Sequence, residues 1–220
     1  MELRVKLRKQ RVETPAKERR LFVHLFVTVA TSALLGYCAI SLAGPFGYDQ
    51  GMTREAVKKI SKGVRDNKEM STVQQPPIIN ESIQSLTLFF SKKSGLCFII
   101  ATGKPFFALS IEHDFTETVH VLSQKYGKPQ IGFEPNRDER QPIPREEWYN
   151  AVMEQKGLLV AMWAEEGERR LPDKLRTVRL SLGVMPDFGK GAMGFLHFQY
   201  AFLNHEDCRR ERRADRSKGL

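Results

Sequence analysis

This chain has no excess of glycine or proline. Its 220 residues include 16 Gly and 11 Pro, too few for a collagen-like or low-complexity protein. At the same time, 41% of the residues are hydrophobic, which excludes a wholly disordered chain. The composition is that of a globular protein, and the length suffices for one domain with a buried core and some additional segments.

Catalytic motifs are also missing. The sequence has no G-x-S-x-G and no H-E-x-x-H motif, which are typical of hydrolases and zinc proteases respectively. Residues 189–194 match G-x-G-x-x-G, but a strand is predicted after them, where a dinucleotide site needs a helix. We interpret them as a hairpin turn. The sequence therefore predicts no cofactor and favours a protein that is not an enzyme.

Charge is absent from one long stretch. Residues 21–43 contain no Lys, Arg, Asp or Glu. A helix of this length, at a rise of about 1.5 Å per residue, crosses the hydrocarbon core of a bilayer, which is about 30 Å thick. We predict a transmembrane anchor or a signal segment at 21–43. An unusually apolar core helix is the alternative.

The basic residues near the N-terminus predict the orientation of this segment. Residues 1–20 hold eight basic and three acidic side chains. Because basic residues stay on the cytoplasmic side of a membrane, we predict a cytoplasmic lead at 1–20 and export of everything after residue 43. Ser41-Leu42-Ala43 also fits the small-x-small pattern of signal cleavage. Retention and cleavage of the segment both remain open.

Most of the net charge of +9 belongs to this lead, since residues 44–220 carry 27 basic and 23 acidic side chains. Their last part, 205–220, is highly charged and has few apolar residues, so we expect a frayed, solvated tail. Mixed signs weaken a phosphate-binding footprint, and we predict no nucleic-acid partner. The arginines of the tail are Arg209, Arg210, Arg212, Arg213 and Arg216, and its acidic residues are Glu206, Asp207, Glu211 and Asp215.

The chain has three cysteines, at positions 38, 97 and 208. Cys38 belongs to the apolar run, so two cysteines remain in the exported part. Because an exported protein meets an oxidising compartment, we predict a structural disulfide between Cys97 and Cys208. The alternative is that Cys97 is a small buried apolar side chain within a strand.

Periodicity predicts an α+β fold for the exported domain, residues 44–204. Thr53 suits the N-cap of a short helix that Gly63 ends. A longer helix is predicted over 113–127 and another from Pro144 to about residue 156, with a polar linker at 130–142 between them. Strands are predicted at 84–91, 96–102, 158–164, 175–184 and 193–203, and a weaker one at 70–75. We expect an antiparallel sheet with helices on one face, preceded by the membrane helix, and this order of elements fits two αβββ units.

One constellation of side chains deserves a chemical interpretation. His113, Glu117 and His120 fall within about 60° of one another on one side of the predicted helix. They are candidates for a metal site or for the centre of a small hydrolase, for which His205 is a further candidate residue. The alternative is that they form the solvated polar side of an amphipathic helix.

Residues 46–57, FGYDQGMTREAV, follow the export segment directly. This opening resembles that of small exported bacterial modules of the BamE/SmpA outer-membrane-assembly lipoprotein and β-lactamase-inhibitor-like type. It is also similar to the opening of uncharacterised exported bacterial and prophage proteins. The resemblance implies a helix-plus-antiparallel-sheet module that binds another protein through its sheet face or loops. The chain differs in its longer middle part and in the bulky Tyr37 before Cys38, where a lipoprotein has a small residue.

Together these observations predict a bacterial envelope protein that acts by protein contact without catalysis. Its expected location is the inner membrane, as a single-pass protein with the C-terminal domain in the periplasm, or the periplasm itself if 21–43 is removed. Its expected partners are an envelope protein and the inner membrane through 21–43. A small envelope hydrolase or metal-dependent enzyme is the alternative, and an accessory structural protein of a prophage or the envelope is a third.

Overall fold

The computed structural model describes residues 44–107, 110–138, 141–187 and 191–217. The predicted basic lead, 1–20, and the predicted membrane segment, 21–43, lie outside the described residues. Among the residues that are described, no helix is both long and apolar enough to cross a membrane.

The described residues contain a nine-stranded antiparallel sheet. Eight of its strands follow the order β1-β2-β3-β4-β9-β8-β7-β6, and β5 pairs with β9 beside this path. The first four strands and the last four each run in sequence, and the two sets meet where β4 pairs with β9. The strands are β1 (Arg65–Asp66), β2 (Met70–Val73), β3 (Ile83–Ser91), β4 (Gly95–Gly103), β5 (Phe106–Phe107), β6 (Gln130–Pro135), β7 (Gly157–Ala164), β8 (Leu175–Asp187) and β9 (Gly191–Phe202).

Four α-helices accompany the sheet in the described part of the chain. They are α1 (Arg54–Ile60), α2 (Ile111–Tyr126), α3 (Trp148–Met153) and α4 (His205–Ser217). Short 3-10 turns lie at Pro45–Gly47, Arg145–Glu147 and Pro172–Lys174. As predicted, Thr53 caps α1, with its Oγ1 accepting a hydrogen bond from the Ala56 N–H at 3.2 Å.

Apolar alternation along the strands builds the core. Side chains on a strand point alternately to the two faces of the sheet, and Val178, Leu180 and Leu182 of β8 are all fully buried on one of them. Helix α2 packs on this face, where the Tyr126 ring lies 6.4 Å from the Trp163 ring. Helix α1 packs there as well, with the Arg54 guanidinium 5.1 Å from the Phe90 ring centre. We call this side of the sheet the helix-bearing face.

The β3–β4 hairpin follows the predicted pair of strands, 84–91 and 96–102. Its short loop ends at Gly95, whose φ of +65° is a left-handed conformation that favours glycine. A side chain at that position would also collide with the backbone of Gly51. The β3–β4 loop therefore packs closely against the backbone at Gly51, just before α1.

The predicted α+β fold with an antiparallel sheet is confirmed, but three segments differ from the prediction. The expected polar linker at 130–142 contains β6, whose pairing with β7 brings Phe133 opposite Leu159. Its apolar residues are few and its strand is short, so the alternating pattern is weak. The helix expected from Pro144 to about 156 ends sooner, since α3 stops at Met153.

The expected frayed tail at 205–220 is instead a helix over His205–Ser217. A frayed tail was expected from the local composition, which contains no information about contacts with residues distant in sequence. Helix α4 contacts Phe89 and Phe98, which lie on the side of the sheet away from the helix-bearing face. The expectation of helices on one face therefore holds for α1 and α2 and does not hold for α4.

The predicted pairing of Cys97 with Cys208 is confirmed at the level of distance. The two sulfur atoms lie at disulfide distance, and the Cα atoms are 6.5 Å apart across a sequence separation of 111 residues. Cys97 sits at an irregularity of β4, because Phe90 pairs with Leu96 while Phe89 pairs with Phe98. This extra residue leaves the ladder and meets α4.

Truncating the core of β8 tests the packing of the sheet. We expect Leu180→Ala to lower the free energy of unfolding by about 2–5 kcal/mol, because the side chain is fully buried and leaves a cavity. Leu203→Ala is the matched control, since that leucine is 45% exposed and should change stability by about 0.5 kcal/mol at most. Urea unfolding of both variants measures this difference, and equal losses would contradict the assignment of the core.

Removing the disulfide tests the link between α4 and the sheet. In the chain-entropy model, closing a loop of this length stabilises a protein by about 4–5 kcal/mol. We expect the double variant Cys97→Ala/Cys208→Ala to lose stability of that order, and a reductant to lower the unfolding midpoint of the wild type but not of the variant. Alkylation of the denatured, unreduced chain followed by peptide mass spectrometry is the direct check. Alkylated Cys97 and Cys208 would contradict the bond.

Candidate functional site

The face of the sheet opposite the helix-bearing face displays a continuous row of side chains. Strand pairing places these residues beside one another across six strands, β2, β3, β4, β9, β8 and β7. They are half-buried or exposed, whereas their neighbours along each strand belong to the core. We call this side of the sheet the open face and this set the open-face row: Thr72, Thr87, Ile100, Gln199, Arg179 and Met162.

The open-face row mixes apolar, polar and charged groups. Ile100 and Met162 are apolar, and Met162 is 38% exposed. Arg179 donates from Nη2 to Oε2 of Glu134 at 2.5 Å. Burial, together with the charge of Arg179, lowers the pKa of the neighbouring His197, so this imidazole is neutral at pH 7. Such a mixture on a broad surface is typical of a protein interface.

One end of the open face is covered by α4. The His205 ring stacks on the Phe98 ring, with centres 4.8 Å apart and planes inclined by 19°. Phe98 in turn lies 5.6 Å from Phe89, and the Arg212 guanidinium lies 5.8 Å from the Phe89 ring. One stacked pair, one tilted ring pair and one cation–π contact thus lie between the helix and the sheet.

Hydrogen bonds to the β3–β4 hairpin fix the position of α4. Just before the helix, Asn204 Nδ2 donates to the carbonyl oxygens of Ser94 at 2.9 Å and Leu96 at 3.1 Å. Further along, Glu211 accepts from the Ser91 hydroxyl and from the Lys92 N–H. Together with the Cys97–Cys208 pair, these contacts hold the first two turns of the helix against the hairpin.

Acidic residues of α4 face this hairpin. Besides Glu211, Asp215 forms an ion pair with the Lys92 ammonium at 3.2 Å. The acidic side of the helix is thereby neutralised by the hairpin, while His205 and Arg212 lie over the open face. The charges that are mixed along the sequence are therefore separated in space.

The structure does not bring together the candidate metal or catalytic residues. His113, Glu117 and His120 all lie exposed on α2, and His120 Nε2 contacts Gln124 Nε2 at 3.3 Å. In the ranges 44–107, 110–138, 141–187 and 191–217, no three His, Cys, Asp or Glu side chains are placed to hold a metal ion. His205, the fourth candidate, lies on the other face of the sheet from α2.

A groove of about 610 Å³ opens on the helix-bearing face. Apolar side chains dominate it, among them Phe46, Leu122 and Phe198. Burial raises the pKa of the Tyr200 hydroxyl in this groove, so that group stays protonated near neutral pH. The described lining includes carboxylates but pairs no serine or cysteine with a histidine, the arrangement that nucleophilic hydrolysis uses.

No protein-family model, curated protein or solved structure matches this chain. These comparisons do not test the resemblance of residues 46–57 to exported bacterial modules, which stays a prediction. What the structure itself defines is an α+β protein with a wide antiparallel sheet. One face of the sheet carries the half-buried or exposed open-face row, and the charged helix α4 packs across one end of that face.

The sequence did not lead us to predict that His205 and the arginines of the tail share one side of a helix. A signal was present, since His205, Arg209, Arg212 and Arg213 are spaced by four, three and one residues, which places them on one side of a helix. The low apolar content of the segment obscured it, because its helical state depends on contacts with the β3–β4 hairpin.

The half-buried position of His205 predicts a pH dependence of stability. Burial lowers its pKa, and Arg212 lowers it further; Arg209 and Arg176 act in the same direction and Glu206 opposes them. The unfolded chain, with an ordinary pKa of about 6.5, then binds this proton more readily than the folded chain. The stabilisation is complete above about pH 6.5 and is lost as the pH falls through the folded pKa.

We therefore expect the urea midpoint of the wild type to fall between pH 7.5 and pH 5.5, and to fall by less in His205→Phe. Phenylalanine retains the stacking on Phe98 and cannot be protonated. The measurement compares how the urea midpoint of each protein changes with pH. Parallel profiles would show that His205 titrates alike in the folded and unfolded chains.

Proposed function

We propose that this chain is a non-catalytic module of the bacterial envelope that binds another protein through the open face of its sheet. The observation that supports this most strongly is the open-face row. Six strands present half-buried or exposed side chains of mixed character there, although the opposite face of the same strands is packed as a core. A surface of this breadth and composition suits a protein partner.

The dimensions of the row favour a macromolecular partner over a small molecule. Five steps between neighbouring strands, at about 4.8 Å each, make the row about 24 Å wide. A standard protein interface buries about 800 Å² on each partner, and a patch of that width accommodates it. Small molecules are usually bound in enclosed apolar clefts, and the row is a broad sheet surface.

The proposed compartment is the space outside the inner membrane. Residues 21–43 would hold the protein there as a single-pass anchor, or would be removed to release a periplasmic protein. Their lack of charge and the basic lead at 1–20 support export. The disulfide distance between Cys97 and Cys208 is compatible with an oxidising compartment.

We also propose that the sheet consists of two αβββ units. In the first, α1 precedes β2, β3 and β4; in the second, α3 precedes β7, β8 and β9. The last strands of the two units, β4 and β9, pair with each other. This arrangement supports kinship with the exported modules that the opening at residues 46–57 resembles, and it would double the width of the surface available to a partner.

Site-specific photo-crosslinking tests the proposed surface. A photoreactive amino acid at Gln199, in the middle of the open-face row, is expected to crosslink one discrete envelope protein in cells. The matched control is Gln124, an exposed glutamine of α2, on the other side of the sheet. A crosslinked product at both positions, or at neither, would contradict binding through the open face.

A substitution within the open-face row provides a second test of the proposed surface. We expect Ile100→Arg to abolish the crosslink from position 199, because a buried unpaired charge weakens a protein interface severely. Because Ile100 is half-buried, urea unfolding of the variant accompanies the crosslinking, and the test counts only if the variant is folded in the cells. A crosslink that survives this substitution would show that the partner does not cover the row.

A further inference from the structure

A depression lies between α4 and the open face, beside the open-face row. Its volume is about 420 Å³, within the range of ligand-binding cavities. Aromatic rings of the sheet and basic residues of the helix surround it. We call it the Arg–Phe pocket, and its lining residues are Phe89, Phe98, His205, Arg209, Arg212 and Arg213.

The sheet contributes an apolar wall to this pocket. Phe89 and Phe98 come from neighbouring strands and pair directly in register. Both rings are half-buried, although α4 already contacts each of them. They therefore retain apolar surface from which a further side chain would displace water.

The helix contributes positive charge on one side only. At about 100° per residue, His205, Arg209, Arg212 and Arg213 fall within an arc of about 100°. Asp207, Glu211 and Asp215 fall within a separate arc of about 80° on the other side. The acidic arc is the one that meets the hairpin through Glu211 and Asp215. Of the other carboxylates of α4, Glu206 lies beside the basic arc and pairs with Arg209.

Two of the three pocket arginines take no part in the described ion pairs of α4. Among the described residues, Arg209 pairs with Glu206 at 3.0 Å and Arg210 pairs with Asp207 at 2.5 Å. No salt bridge in this part of the chain involves Arg212 or Arg213. Two guanidinium groups at the pocket are thus available to an anionic ligand.

The framework of the pocket is held in place before any ligand arrives. Asn204 and Glu211 are hydrogen-bonded to the β3–β4 hairpin, and Cys208 lies at disulfide distance from Cys97 of β4. Because α4 cannot move freely relative to the sheet, binding would cost little ordering of the backbone.

This combination suits a ligand that offers carboxylates beside an apolar or aromatic side chain. Guanidinium groups bind carboxylates through paired, charge-assisted hydrogen bonds, and the phenylalanine rings suit the apolar group. We propose that the Arg–Phe pocket binds an acidic, aromatic-containing segment of the protein partner. This inference rests on the proposed function, because the segment would belong to the protein that covers the open-face row.

The distribution of charge favours a protein segment over a nucleic acid. A nucleic acid would require cations along the track of its backbone. The open-face row next to the pocket instead consists mainly of uncharged residues, such as Thr87, Ile100 and Gln199, and its Arg179 is paired with Glu134. The six residues of the row thus offer no unpaired cation to a phosphate backbone.

Fluorescence anisotropy with short labelled peptides and the purified full chain tests this inference. The probe is a peptide of Asp, Glu and Phe residues, and its matched comparison has Asn and Gln in place of the acids. We expect the acidic peptide to bind at least about tenfold more tightly than the neutral one, since each charge-assisted hydrogen bond contributes strongly. Equal binding of the two peptides would overturn the inference.

Variants of the helix locate the binding. Arg212→Gln/Arg213→Gln should weaken binding of the acidic peptide about tenfold or more. Arg210→Gln is the control, because Arg210 lies outside the basic arc and its side chain is 77% exposed. Circular dichroism of each variant confirms that α4 is retained. Equal effects of the double variant and the control would place the peptide elsewhere and overturn the inference.

A single-stranded oligothymidine of matched length tests whether the pocket binds a nucleic acid in place of an acidic protein segment. If it binds more tightly than the acidic peptide and depends on the same two arginines, the pocket is a nucleic-acid site and the inference is overturned. The photo-crosslink from position 199 separates this inference from the proposed function. If the crosslink persists but the acidic peptide does not bind, the inference about the Arg–Phe pocket is overturned and the proposed function is retained. If the peptide binds at the pocket but no crosslink forms in cells, the inference is supported and the proposed function is contradicted.

Discussion

The pairing of β4 with β9 is the contact on which the rest of the structure depends. It joins two sets of strands that lie about a hundred residues apart in sequence, with Ile99 beside Tyr200 and Ala101 beside Phe198 in register. A shift of one residue in this register would exchange the two faces of every following strand. The buried core and the open-face row therefore depend on the same alignment, since they occupy alternate positions of the same strands.

Helix α4 illustrates how tertiary contacts give a charged segment a structure. Its sequence has too little apolar content to form a core of its own, and as an isolated peptide it would be a short helix of marginal stability. The chain holds it by a hydrogen-bonded Asn204, by the Cys97–Cys208 pair and by carboxylates that face the β3–β4 hairpin. As a result Glu211 and Asp215 face the hairpin, whereas His205 and Arg212 lie over the open face. Charges that alternate along the sequence are thereby separated onto two sides of the helix.

The elements that were predicted well are those with a strong local pattern. The β3–β4 hairpin has two β-rich runs around a short glycine-ended loop, and α2 has Phe115 and Tyr126 on one side of its helical period. Strand β6 was missed because it is short and at the edge of the sheet, where only Ile131 and Phe133 mark the alternation. The metal candidates on α2 were chosen for sharing a helix side, but a metal site needs ligands from several elements, and none of the described ones joins them.

From the sequence alone came the α+β class, the antiparallel strands, the charge-free run at 21–43 and the choice of Cys97 and Cys208 as partners. These follow from periodicity, composition and cysteine count, which are local or additive properties. The order of the strands, the side of the sheet on which each helix lies and the separation of charge on α4 were decided by the tertiary structure. Each of these depends on which distant residues come into contact, and one-dimensional patterns do not contain that information.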